Sequence, residues 1–240
     1  MELRIGCSGY YYPEWKGSFY PDGLGTSKWL TYYSSVFNSV ELNGTFYRQP
    51  KIENLRKYAR MTPPDFRFSA KASRYITHVL RMKEARIFVE EFTQLLVKGL
   101  EEKFDKLLFQ LPGAFKFSEE NLNRVMETVP PNRNNVVEFR DNSWWNEAVF
   151  KRFRETGIVF CNVDYPGLQP PFVSTGKDFY LRLHGVPDLF HSPYTKEKLQ
   201  QVAHDIPAET EHCNIYFNNT AGNAAFDNAS TLAEILKAEK

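Results

Sequence analysis

Long apolar runs are missing from this chain. No stretch approaches 18 consecutive apolar residues, and Met1-Glu2-Leu3-Arg4-Ile5 has neither the basic start nor the apolar core of a signal peptide. That pattern predicts a cytoplasmic protein with no membrane partner. Cysteine is scarce: Cys7, Cys161 and Cys213 are odd in number and far apart, which excludes a disulfide framework or a zinc cluster and fits buried thiols in a reducing compartment. Charge of one sign is absent as well. Thirty Lys and Arg face 29 Asp and Glu, a formal charge of +1, so no whole-molecule field draws in nucleic acid or an anionic surface. Any basic site is local. No Gly/Ser linker, charge block or low-complexity tract divides the 240 residues, which predicts one domain over 1–240.

What is present is enough for a large core: 42% of residues are hydrophobic and 15% aromatic. Short β-branched segments alternate with segments of helical period. The strand candidates are Leu3 to Cys7, Ser39 to Asn43, Phe66 to Ala70, Lys106 to Leu111, Asn135 to Arg140, Ile158 to Val163, Phe179 to His184 and Asn214 to Asn218. Their starts are about 30 residues apart on average, the length of a strand plus its crossover helix. The clearest helix runs from Lys83 to Glu102, with Phe88, Phe92, Leu95, Leu96 and Leu100 on one stripe. Ser118 and Thr195 are N-cap candidates for two more, and Ala225, Ala229, Leu232 and Leu236 mark a last one. After the sixth strand, Tyr165 to Asp178 carries Pro166, Pro170 and Pro171, so that crossover is expected to be irregular. The expected fold is an α/β, single TIM-barrel-like (β/α)8 domain, because an open doubly wound sheet would more often use five or six strands.

In such a barrel, chemistry sits at the carboxyl ends of the strands. The second strand supplies Glu41 and Asn43, followed by Tyr47; the third is followed by Lys71, Arg74 and His78; the fifth ends in Glu138 and Arg140, the sixth in Asp164, the seventh in Arg182 and His184, and the eighth in Asn218 and Asn219. Two-residue alternation gives Glu41 and Asn43, Glu138 and Arg140, and Arg182 and His184 each a common face. The outer face packs on helices, where a pair of charges would be stranded from water, so the mouth is the cheaper placement. The carboxylates and guanidiniums are either a site or an ion-pair network closing the top of the barrel.

These residues resemble a known family. Ile5-Gly6-Cys7-Ser8-Gly9-Tyr10 with Trp15, Val40-Glu41-Leu42-Asn43 with Thr45-Phe46-Tyr47, then Lys71, Arg74 and Thr77-His78 are similar to the opening of the "domain of unknown function 72", or YecE-like, family. Phe109-Gln110-Leu111-Pro112, Glu138-Phe139-Arg140 with Ser143-Trp144, Asp164 before Pro166, Arg182-Leu183-His184-Gly185 and Tyr216-Phe217-Asn218-Asn219 with Asn228 continue the likeness. The chain departs from the family pattern at Tyr10, where Trp is common, at Gly44, and at Thr220, where an acid often follows the two asparagines. The resemblance implies a TIM-barrel-like fold and assigns no activity.

The cations Lys71, Arg74, His78, Arg140 and Arg182 suit a phosphate or carboxylate, with Asn43, Asn218 and Asn219 as further binding residues. Tyr10, Tyr47 and Trp144, with Trp15 and Phe217, are aromatics able to stack on a sugar or base. Glu138, Glu41, Asp164 and His184 are the acid/base candidates. Arg140 and Arg182 supply the charge a divalent ion would supply and would repel it, so no metal is expected. No Walker loop, Rossmann fingerprint, serine elbow or paired-cysteine motif points to a cofactor. Three readings fit: an enzyme acting by acid/base or hydrolytic chemistry on a small anionic substrate; a nucleic-acid-processing or nucleic-acid-binding barrel; and a non-catalytic anion-binding protein. The neutral overall charge favours the small ligand over a long polyanion.

Overall fold

A computed structural model describes residues 1–238. All eight expected strands form, with ends shifted by one or two residues: β1 Glu2–Cys7, β2 Ser39–Leu42, β3 Arg67–Lys71, β4 Phe104–Gln110, β5 Asn135–Glu138, β6 Val159–Asp164, β7 Asp178–Leu183 and β8 His212–Phe217. They are parallel and lie in the order β1-β8-β7-β6-β5-β4-β3-β2, a nearly closed (β/α)8 barrel. The α-helices are α1 Trp29–Val36, α2 Gly44–Tyr47, α3 Ile52–Met61, α4 Arg86–Leu100, α5 Glu119–Thr128, α6 Glu147–Thr156, α7 Lys196–His204 and α8 Ala224–Ala238. None is long and apolar enough to cross a membrane.

Alternation along each strand sorts the side chains into two layers. Phe109, Val137, Phe160, Leu181 and Ile215 face outward into the main core under the helices. Leu108, Val136, Cys161, Tyr180 and Tyr216 fill the barrel interior. Polar groups inside the barrel are paired: the Tyr216 hydroxyl lies 2.5 Å from Ser39 Oγ and 2.9 Å from Ser69 Oγ. At the lower end Lys106 Nζ meets Asp178 Oδ1 at 2.6 Å.

Among the described residues no backbone ladder joins β1 to β2, and side chains close the seam instead. The Tyr33 hydroxyl on α1 accepts from the Cys7 amide at 2.7 Å and donates to the Ser39 carbonyl at 3.1 Å. Asn38 accepts from the Ile5 amide and donates to the Leu3 carbonyl. Gly6 permits this approach, since a Cβ there would stand 2.0 Å from the Ser39 oxygen.

The Ser118 and Thr195 caps accept from Asn121 and Lys198 amides, and Asn146 does the same for α6. Helix α4 begins three residues later than its apolar stripe suggests. Arg81, Met82 and Glu84 have positive φ, which right-handed helix excludes. The β6–β7 crossover holds no helix, and the Asn162 side chain ties it to the barrel through both backbone groups of Val173.

Candidate functional site

The strand ends bring four charges into one buried network. On β2, Glu41 accepts from Ser8 Oγ at 2.7 Å, from Arg182 Nη2 at 2.6 Å and, through its other oxygen, from the Tyr180 hydroxyl at 2.7 Å. Arg182 reaches the other way through Nη1 to Glu138 Oε2 at 2.6 Å. The second oxygen of Glu138 accepts from Arg140 Nε. Burial opposes ionisation of Glu138, but Arg140 and Arg182 outweigh it and hold the carboxyl well below its usual range.

His184 completes the network. Its Nδ1 lies 2.9 Å from Asn218 Nδ2, and its Nε2 faces Glu138 Oε1 at 3.4 Å and Arg140 Nη2 at 3.3 Å. A donating Asn218 amide puts the ring proton on Nε2. Burial, reinforced by Arg140 and Arg182, pushes the imidazole well below its ordinary pKa and keeps it neutral.

Above the network lies a second group of cations with a different environment. Lys71 ends β3 and holds its Nζ 4.1 Å over the Phe46 ring. Burial, then the nearby Arg182, lowers its pKa to about 8 against the pull of Glu138 and Glu41. His78 sits in the single π-helical turn Tyr75–Val79, and burial with Lys71, Arg74 and Arg140 around it lowers its pKa to about 4. Arg140 lies half in each group: its guanidinium carbon is 4.2 Å over the Tyr165 ring, and its side chain is partly exposed. Among the described residues, neither Lys71, Arg74 nor His78 has a carboxylate within ion-pair distance.

Several expected site residues lie elsewhere. Trp144 is sealed in the core, stacked on Phe139 at 3.8 Å and on Phe115 at 5.7 Å with its indole N–H on the Phe115 carbonyl, so neither face is open to a ligand. Trp15 and Phe217 are equally buried. Arg182 is inaccessible because Glu41, Glu138 and Ser8 take its donors. Glu41 is likewise saturated beneath the mouth. Asn219 turns away from Asn218 to bind the Ser192 carbonyl and Asn228, tying the β8 loop to α8. Asp164 is on the rim but paired separately, 3.1 Å from Gln169 Nε2 and 3.4 Å from Lys198 Nζ. Tyr47 is 77% exposed on α2.

A cavity of about 580 Å³ adjoins the mouth, lined by Tyr10, Tyr12, Asn43, Thr45, Arg48 and Tyr58 among others. Thr45 connects it to the cation group by donating to the Lys71 carbonyl at 2.7 Å, and Asn43 connects it to the network by donating to the Ser8 carbonyl at 3.1 Å. Asn43 Oδ1 is buried without a partner. Among the described residues no three His, Cys, Asp or Glu side chains are grouped to hold a metal ion.

Sequence reasoning passed over Tyr180, Tyr165 and Phe46. Tyr180 was legible, since it lies two residues before Arg182 and so shares its inward face. Tyr165 and Phe46 act through loop geometry, which carries no such period.

A family model described as "Protein of unknown function DUF72" matches residues 4–240. The UPF0759 protein YunF of Bacillus subtilis is 25% identical over 99% of this chain and 95% of its own length. The UPF0759 protein YecE of Escherichia coli K12 is 30% identical over 58% of this chain and 48% of its own. Among solved structures, a DUF72 family protein from Thermotoga maritima superposes with a TM-score of 0.88 at 32% identity, covering 99% of this chain and 100% of that one. One from Enterococcus faecalis, at 20% identity and TM-score 0.77, covers 98% of this chain and 95% of that one and shares the fold.

Proposed function

This chain belongs to the DUF72 family, which brings a fold and no assigned reaction, and we propose that its barrel mouth binds a small phosphorylated or carboxylated substrate for acid/base chemistry. One observation carries the reading. Glu41 and Glu138 are consumed by Arg182 and Arg140 below, while Lys71, Arg74 and His78 stand together above with no carboxylate of their own. Crowded cations repel, and the lowered pKa values of Lys71 and His78 express that repulsion. An anion seated among them relieves it.

Within this reading the roles divide by access. Arg74 and Arg140 clamp the anionic group, Arg140 with its fork pre-oriented by Glu138 and Tyr165. Lys71 is the accessible proton-transfer group, because a pKa of about 8 lets it exist in both forms near neutrality. Glu138, first considered as the base, serves here to orient Arg140 and His184, since both its oxygens are filled. The tyrosine-lined cavity has the volume for the non-reacting part of a substrate. A compact cluster of this kind suits one anionic group better than a polyanion, which needs cations along a track.

Thermal melts in millimolar phosphate or sulfate at matched ionic strength test the reading. A ligand at 100 times its dissociation constant adds about 2.7 kcal/mol of stability. The rise is expected in the parent and not in a Lys71→Gln, Arg74→Gln double variant; an unchanged parent midpoint overturns it.

A further inference from the structure

We propose that Lys71 is a nucleophile that forms an imine with an aldehyde or ketone substrate carrying a phosphate or carboxylate. The inference rests on the anion-binding reading of the same mouth and specifies its substrate class. Nζ is placed at the end of β3 over the Phe46 ring, with no carboxylate ion pair to occupy it. Every element around it presents a fixed charge: Glu41 from β2, Glu138 and Arg140 from β5, Arg182 from β7, and His78 and Arg74 from the turn after β3. The carboxylates among these are already neutralised by guanidiniums, so neither can accept a proton readily. The amine is then the one accessible group of the set that has a lone pair at neutral pH and enough reach to attack. His78, also neutral, has its Nδ1 against Thr77 Oγ1 at 2.9 Å.

Lysines become nucleophilic when desolvated and set beside other cations, and both conditions hold here. At pH 7.5 a lysine of pKa about 8 is about a quarter unprotonated, whereas an ordinary one is unprotonated about once in a thousand. The anionic end of the substrate, clamped by Arg74 and Arg140, would hold its carbonyl near Nζ. In the first step the Nζ lone pair forms a bond to the carbonyl carbon, the C=O π pair moves to oxygen, and a proton passes from nitrogen to that oxygen to give a carbinolamine. In the second the hydroxyl leaves as water, taking the remaining nitrogen proton in the net balance and leaving a neutral imine. Protonation of that imine by solvent gives an iminium, an electron sink for bond cleavage or proton loss at the adjacent carbon, with Glu138 and Glu41 nearby to balance its charge.

The test traps the imine. The full chain is incubated at pH 7.5 with dihydroxyacetone phosphate, and separately with pyruvate, in the presence of cyanoborohydride, whose hydride reduces the iminium carbon to a stable secondary amine. Intact mass and peptide mapping then locate the adduct. With at least one of the two probes, one adduct per chain is expected on Lys71, formed at least about tenfold faster than on any other lysine. It should be slowed by inorganic phosphate and absent from Lys71→Arg, with a rate that rises through pH 8. If phosphate stabilises the fold yet labelling with both probes is spread evenly over lysines, or Lys71→Arg labels like the parent, the imine proposal is overturned and the anion site stands. If phosphate neither stabilises the protein nor slows labelling, both readings fall.

Discussion

Arg182 and Glu138 meet at 2.6 Å, Nη1 to Oε2, with neither side chain more than 1% exposed. The same guanidinium binds Glu41 at 2.6 Å. With Arg140 added, two carboxylates and two guanidiniums balance to zero in the upper part of the barrel. A buried set of this kind is costly to assemble and costlier to break, because removing one member strands the others away from water.

Glu138→Gln is therefore expected to lower stability by about 3 to 5 kcal/mol, read as a shift in denaturation midpoint. The pH dependence follows from the sign. The Glu138 carboxyl in the folded protein lies below its ordinary value of 4.5, so its contribution is complete above that value and is lost as pH falls through the lower, folded one. The variant should lose part of this acid sensitivity. A variant as stable as the parent that has lost turnover would return Glu138 to the role of base.

Lys71 carries the opposite sign. Its pKa falls to about 8 on folding from an ordinary 10.5, so its protonated form penalises the fold below pH 8, and the penalty fades as pH rises from there toward 10.5. Lys71→Met should stabilise the protein at pH 7 by roughly 1 to 3 kcal/mol while abolishing the phosphate response. Loss of stability instead would mean that the amine is compensated by its surroundings.

Phosphate binding between pH 8 and pH 9 should take up a proton, because a bound anion raises the Lys71 pKa. Calorimetry in two buffers of different ionisation enthalpy reports the number directly. Zero uptake would separate Lys71 from the anion.

The β1–β2 seam gives a structural prediction independent of the mouth. Tyr33→Phe leaves the Cys7 amide without its acceptor and should cost about 1 to 3 kcal/mol. Gly6→Ala should cost at least as much, since its Cβ would meet both the Ser39 carbonyl and the Tyr33 hydroxyl.

Trp144 separates core from site. Trp144→Ala should cost about 3 to 5 kcal/mol and leave the protein's phosphate affinity unchanged. A loss of affinity with little loss of stability would put its ring back at the ligand.

Much of the molecule was legible in the residues alone. The eight strands announce themselves by β-branched runs, and two-residue parity correctly sends Glu41, Glu138, Arg182, His184 and Asn218 to one place. Capping side chains mark α5 and α7. These signals are local: they depend on the pleat, the helical period and the chemistry of one or two turns. The start of α4 was missed because the positive φ angles at Arg81, Met82 and Glu84 leave no mark in the periodicity.

What the tertiary structure alone decided is which partner each charge found. Parity says that Arg182 and Lys71 both face inward; it does not say that Arg182 lies between two carboxylates while Lys71 lies above them with none. That difference arises from the heights at which β2, β3, β5 and β7 bring their residues together across the barrel, and so from contacts between positions up to 141 residues apart. The burial of Trp144 and the placing of the tyrosine-lined cavity beside the mouth were set in the same way. A side chain's type fixes the interactions open to it, but only the packing of distant elements fixes which of them are satisfied and which are left for a ligand.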